Sequence, residues 1–190
     1  MKQDIILAGV GGQGILSIAY VIDNAALNDG LQFKQAEVHG MAQRGGAVQS
    51  HLRISDEPVF SDLIPRGKVD LLLSVEPLET LRYIDFLSPD GVIVTSRSPH
   101  VNITDYPDLE DVLRVVRKTP KSVIVDSKAL AEEAGSFRSQ NMVMLGAASP
   151  YLRLKEESLI TYIRALFLSR GEKLVDINLK AFTLGQQFLP

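Results

Sequence analysis

The strongest constraint on the fold lies at the start of the chain. Ile5 to Ala8 is an unbroken apolar run, Gly9-Val10-Gly11-Gly12-Gln13-Gly14 follows, and Ile15, Ala19, Ile22 and Ala26 then recur with helical spacing. A run that is apolar at every position fits a strand buried on both faces, as in a parallel sheet. Glycines spaced G-x-G-x-x-G between such a strand and a helix let the backbone turn tightly, and Gly11 and Gly12 are expected to take angles closed to other residues. Bare N–H groups at the helix start, with the positive end of its dipole, then suit an anion. If the anion were a dinucleotide, an acid near the end of the second strand would hold its ribose. Glu37, 23 residues after Gly14, is the candidate. The same glycines also serve a tight turn with no ligand, and both accounts stand.

The rest of the chain alternates. Strands are expected near Phe33 to Val38, Val69 to Val75, Gly91 to Thr95 and Ser122 to Asp126. Val48, Leu52 and Ile54 alternate with Gln49, His51 and Arg53, which predicts a half-exposed strand that Asp56-Glu57-Pro58 turns back into a short partner. Helices are expected from Pro77, with Leu78, Leu81 and Ile84 inward, and over Asp108 to Lys118, Lys128 to Ala134, Asn141 to Ala148 and Lys155 to Arg170. A final helix is expected over Asn178 to Phe188, docked through Leu179, Phe182 and Phe188. Ser96 to Asp108 reads as loop. Strands alternating with helices predict an α/β class: one domain over residues 1–190, three-layer and Rossmann-like. Its sheet is mostly parallel, with a β-hairpin excursion and a helical C-terminal part.

Composition excludes several classes. The 190 residues carry a net charge of -3 and contain no cysteine. No broad basic surface is available for nucleic acid, and disulfides or an all-cysteine cluster on this chain are excluded. No apolar run reaches the ~20 residues needed to span a bilayer, and no signal-peptide pattern opens the chain. A cytoplasmic protein is expected. His39, His51 and His100 are the only histidines and lack metal-ligand spacing, so no metal site is expected.

Glu37-Val38-His39-Gly40-Met41-Ala42-Gln43-Arg44-Gly45-Gly46 has no clean periodicity. It offers a carboxylate, an imidazole, an amide and a guanidinium within eight positions, and Arg44 can grip a carboxylate or phosphate through paired hydrogen bonds. Taken with the glycine loop, this stretch resembles the small (beta) subunit of indolepyruvate ferredoxin oxidoreductases. It is more distantly similar to the gamma domain of pyruvate and other 2-oxoacid ferredoxin oxidoreductases. Ser50-His51-Leu52-Arg53, Glu76-Pro77-Leu78-Glu79 with Arg82, Asn141-Met142, Leu145-Gly146, and Asn178 with Ala181-Phe182 extend the likeness over nearly the whole chain.

The resemblance implies oxidative decarboxylation of an arylpyruvate, with the acyl group passing to coenzyme A and electrons to ferredoxin. It places thiamine diphosphate, Mg and iron–sulfur clusters on a large partner subunit, so this chain would be inactive alone. It makes Gly9, Gly11, Gly12, Gln13, Gly14, Glu37, His39, Gln43, Arg44, Gly45 and Gly46 candidates for ligand or partner binding, with coenzyme A on Gly11, Gly12, Gln13 and Arg44. A stand-alone NAD(P) dehydrogenase and a purely structural assembly subunit are the rival readings.

Overall fold

The first strand, β1 (Lys2–Val10), is buried from Gln3 to Val10. Ile5 and Leu7 point to one side of the sheet and Ile6 and Ala8 to the other. That two-sided burial is what an unbroken apolar run requires, and each such side chain contributes about 2 kcal/mol on leaving water. The computed structural model describes residues 1–39 and 45–188. After β1 come α1 (Ile15–Asn28), β2 (Gln32–His39), β3 (Ala47–Ser55), β4 (Val69–Ser74), α2 (Pro77–Leu81), β5 (Leu87–Ser96) and α3 (Leu109–Arg117). The chain continues through β6 (Ser122–Val125), α4 (Ser127–Ala134), α5 (Gln140–Ala148), α6 (Glu156–Leu168) and α7 (Glu172–Gln187).

The strands form one six-stranded sheet in the order β2-β3-β1-β4-β5-β6. β1, β4, β5 and β6 pair in parallel, whereas β3 runs antiparallel to both β1 and β2. The expected α/β class and hairpin are present, and the hairpin is β2–β3. β3 lies inside the sheet rather than half-exposed at an edge, so His51 and Ser50 are buried along with Leu52 and Ile54.

The short partner strand expected after Pro58 does not form. Residues 57–68 are a loop, and side chains of β3 hold four of its backbone groups. Arg53 Nη1 donates to the carbonyls of Ser61 at 3.0 Å and Leu63 at 3.1 Å, and His51 Nδ1 accepts from Ile64 N–H at 3.1 Å. Burial pushes the His51 pKa down, which keeps the ring in the neutral form that this acceptor role needs. Arg53 is itself held by Asp4, at 2.8 Å.

Helices cover both faces. α1, α4, α5, α6 and α7 share a core with Ile5, Leu7, Leu71 and Val94. α2 and α3 cover the other face, over Ile6, Leu72 and Ile93. Two helices differ from the sequence expectation. α2 is one short turn that buries Pro77, Glu79 and Thr80, with Leu78 only half-buried, because Glu76 caps it and the chain leaves at Arg82. α7 starts at Glu172, well before Asn178: Gly171, at φ 102°, ends one helix and opens the next.

α5 and α7 cross at two glycines. A Cβ on Gly146 would lie 2.0 Å from the Phe182 carbonyl oxygen, and one on Gly185 would lie 2.1 Å from the Val143 carbonyl oxygen. Backbone cannot yield as a side-chain tip does, so Gly146→Ala is expected to cost about 3 kcal/mol. That corresponds to a Tm drop of roughly 10 °C in thermal unfolding. An unchanged Tm would mean that the crossing tolerates separation.

Candidate functional site

The glycine loop is a closed turn. Gln13 N–H donates to the Val10 carbonyl at 3.1 Å, and Gln13 Oε1 accepts from Val10 N–H at 2.7 Å. Gly12 (φ 102°) and Gly14 (φ 79°) occupy the left-handed region. Gly11 does not; its part is to pair with the segment beside it, donating to the Gly46 carbonyl at 2.8 Å and accepting from Gly45 N–H at 3.4 Å. Space, not backbone angle, favours glycine at position 9, where a Cβ would press on the tips of Ile15, at 2.8 Å, and Gln13, at 2.9 Å, and one of them would have to shift. The amides of Gly12, Gly14, Ile15 and Leu16 have no acceptor among the described residues. They form the positive end of a 14-residue helix.

β1 and β4 are parallel neighbours, yet the chain leaves them toward opposite faces, into α1 and α2. A crevice opens at such a point, where ligands of open α/β sheets sit. Here it is a cleft of about 650 Å³, lined by Gly11, Gly12, Gln13, Gly14 and Ser17 on one wall. The other walls are Val75 and His100 after β4 and β5, Ser136 to Asn141 at the start of α5, and Phe167, Arg170, Leu174 and Asn178. Arg138 and Arg170 pair with no carboxylate among the described residues. No Asp or Glu is among the cleft's lining residues. Two unpaired guanidiniums, an imidazole and a helix N-terminus therefore face one space whose lining holds no carboxylate.

The rim is built by a buried acid. Glu76 is 1% exposed. Its Oε2 accepts from Glu79 N–H at 2.8 Å, capping α2, and its Oε1 accepts from Tyr106 Oη–H and from His100 N–H at 3.3 Å. Burial, followed by the hydrogen bond to this carboxylate, holds the Tyr106 pKa well above its ordinary value, so the phenol stays a donor. The 97–108 loop thus carries His100 to the cleft, and Asn102 Nδ2 on the same loop donates to the Gly45 carbonyl. Arg82 pairs with Glu79 at 3.1 Å, as their spacing suggests.

Of the residues singled out from sequence, Gly11, Gly12, Gln13 and Gly14 line the cleft, while Gly9 packs beneath them. Gly45 and Gly46 brace Gly11 from behind. Gln43 and Arg44 lie outside the described residues, as does the side chain of His39. Glu37 does not line the cleft. It sits on β2, which β3 separates from β1, about 10 Å away at two strand spacings, and it accepts from Gln35 Nε2. A ribose-holding acid belongs on the strand next to the glycine loop, so the β3 insertion removes the argument for a dinucleotide. Arg138, Arg170 and Phe137 carried no periodic or motif signal. Asn141 and Asn178 entered only through the resemblance. Among the described residues no three His, Cys, Asp or Glu side chains are grouped to hold a metal. No helix there is long and apolar enough to cross a membrane.

Glu37 does affect α1. Asp23 is 4% exposed and its Oδ1 has no partner among the described residues. Burial, helped by the Glu37 charge, raises its pKa from 3.8 to about 7. Between those values the folded chain holds a proton that the unfolded chain has released, so stability falls as pH rises through that window. Asp23→Asn is expected to flatten the pH dependence and to raise stability at pH 8 by on the order of 3 kcal/mol. Urea unfolding at pH 5 and pH 8 checks this; an equal change at both would sink it.

With this geometry in place, the comparisons are specific. The family model for pyruvate ferredoxin/flavodoxin oxidoreductase matches residues 4–188. The indolepyruvate oxidoreductase subunit IorB of Pyrococcus horikoshii is 40% identical over 97% of this chain and 95% of its own length. The 2-oxoglutarate synthase subunit KorC of Methanocaldococcus jannaschii is 29% identical over 98% and 94%. The gamma subunit of a keto/oxoacid ferredoxin oxidoreductase from Geobacter sulfurreducens superposes with a TM-score of 0.70 at 25% identity, over 99% of this chain and 96% of its own. A 2-oxoglutarate:ferredoxin oxidoreductase from Magnetococcus marinus, solved with 2-oxoglutarate, coenzyme A and succinyl-CoA bound, superposes with a TM-score of 0.78 at 25% identity. That match covers 98% of this chain but only 31% of the longer one. A match from the first strand to the last helix leaves one assignment: the chain belongs to the pyruvate ferredoxin/flavodoxin oxidoreductase family.

Proposed function

We propose that this chain is the small subunit of an indolepyruvate-type 2-oxoacid:ferredoxin oxidoreductase, and that its cleft receives the phosphates of coenzyme A. The observation that carries the second part is the charge balance of the cleft: Arg138, Arg170 and His100 face the amides of the glycine loop, with no carboxylate among the lining residues. A phosphoanhydride is suited to such a space, because bare amides and guanidiniums both donate to it and the helix dipole favours its charge. The relatives support the first part, the IorB subunits most strongly, at 37–40% identity.

In this reading an arylpyruvate loses carbon dioxide, its acyl carbon is joined to the coenzyme A thiol, and two electrons leave to ferredoxin. Thiamine diphosphate, with Mg and iron–sulfur clusters on the large subunit, supplies decarboxylation and electron transfer. This chain contains no cysteine to ligate a cluster, so its task is binding. Its residues hold the phosphates, exclude water beneath them through Val75, Phe167 and Leu174, and leave the thiol end free to reach the partner. Glu76 sets the height of the wall that bears His100.

A second reading, an assembly subunit only, is favoured by Val101 and Ile103. They are 67% and 46% exposed and flank the Asn102 contact to Gly45. The two readings separate in the reconstituted complex. An Arg138→Ala/Arg170→Ala variant is expected to assemble with the large subunit, lose coenzyme A affinity at least about tenfold, and raise the KM for coenzyme A. Wild-type affinity in that variant would overturn the binding role. Arg44→Ala belongs in the same titration, where a comparable loss is expected.

A further inference from the structure

One exposed aromatic ring belongs to neither hydrophobic core. Phe137 is 58% exposed, yet the turn that bears it is firmly built. Gly135 closes α4 in the left-handed region at φ 111°. Ser136 N–H returns to the Ala131 carbonyl at 3.0 Å, and Ser136 Oγ accepts from Arg138 N–H at 3.3 Å. Ser139 Oγ donates to the Ser136 carbonyl at 2.7 Å. Gln140 Nε2 donates to the carbonyl of Phe137 itself at 3.1 Å, and Gln140 Oε1 accepts from Ser127 Oγ at 3.1 Å. The ring is therefore held out in solvent by a network, not left there by a loose loop.

Phe137 stands on a ridge between two hollows. The cleft lies on one side. On the other is a shallower hollow of about 620 Å³, lined by Lys128, Glu132 and Gly135 together with Ser136, Phe137 and Gln140, which the two share. The Arg138 guanidinium lies 5.7 Å from the ring centre. Lys128 has no ion pair among the described residues. A ligand that filled both hollows would thus meet guanidiniums and bare amides, then a flat apolar ring, then an ammonium. Glu132, the one carboxylate of the second hollow, is an acceptor suited to a hydroxyl.

We infer that this ridge is the nucleotide end of the coenzyme site: the adenine stacks on Phe137, the pyrophosphate stays in the cleft, and the ribose phosphate reaches Lys128. This rests on the coenzyme A reading above and adds to it a base platform and a second anion contact. Stacking of a base on an exposed ring is worth about 1–3 kcal/mol and tolerates any base, so shape and charge, not hydrogen bonding to the base, select the ligand here.

The test is calorimetric titration of the reconstituted two-subunit complex with coenzyme A, dephospho-coenzyme A and phosphopantetheine. Phe137→Leu is expected to weaken coenzyme A roughly tenfold and leave phosphopantetheine unchanged. Lys128→Gln is expected to weaken coenzyme A several-fold and leave dephospho-coenzyme A unchanged. If Phe137→Leu weakens coenzyme A and phosphopantetheine alike, or neither, the ridge holds no base and the inference is overturned. If Phe137→Leu instead impairs assembly with the large subunit at unchanged ligand affinity, the ring is a protein contact and the inference is equally overturned. Failure of the wild-type complex to bind any of the three would remove the coenzyme reading itself, a result distinct from failure at Phe137 alone.

Discussion

β1 is paired along both edges and buried on both faces, and the rest of the molecule is arranged around that constraint. β3 occupies one edge in antiparallel register from Lys2 to Val10, and β4 occupies the other in parallel. A strand so enclosed can release its chain only at its carboxyl end, so the glycine turn must form there. Because α1 and α2 then depart to opposite faces, the turn looks into a crevice. The position of the cleft follows from hydrogen-bonding geometry before any side chain in it is considered.

The electrostatics of the cleft follow from what lines it. α1 begins on Gly14, whose Cβ would collide with Asn141 at 2.5 Å, so the starts of α1 and α5 are packed directly together. That contact draws the Phe137–Asn141 corner toward the glycine loop, while the turn between α6 and α7 adds Arg170. Acids are kept elsewhere: Glu76 is spent on capping α2 and holding the rim, Glu79 pairs with Arg82, and Glu37 lies two strands away. The result is a cleft whose positive character comes from backbone amides and arginine together.

Much of this could be read from the chain. Ile5 to Ala8 announced a two-faced strand, the glycine spacing announced the turn, and Pro77 announced a helix start. Val48 to Ile54 misled because alternation predicts one exposed face, and His51 and Ser50 are polar residues buried by partners that are distant in sequence. His51 holds Ile64, and Ser50 accepts from Gln35 at 3.0 Å. The cleft's far wall was not legible: Phe137-Arg138-Ser139-Gln140 looks like any polar connection until α5 is placed against α1.

The sequence by itself determined the class of fold, the glycine turn and the family, because these depend on local periodicity, on backbone freedom at glycine and on contiguous motifs. Tertiary structure alone decided that β3 inserts beside β1, that Glu37 is thereby withdrawn from the glycine loop, and that Arg138 and Arg170 arrive opposite it. Strand order and helix crossings are set by long-range burial and by close approaches such as Gly146 to Phe182 and Gly14 to Asn141. No window of neighbouring residues encodes those contacts, since each partner's shape matters only once the other is in place.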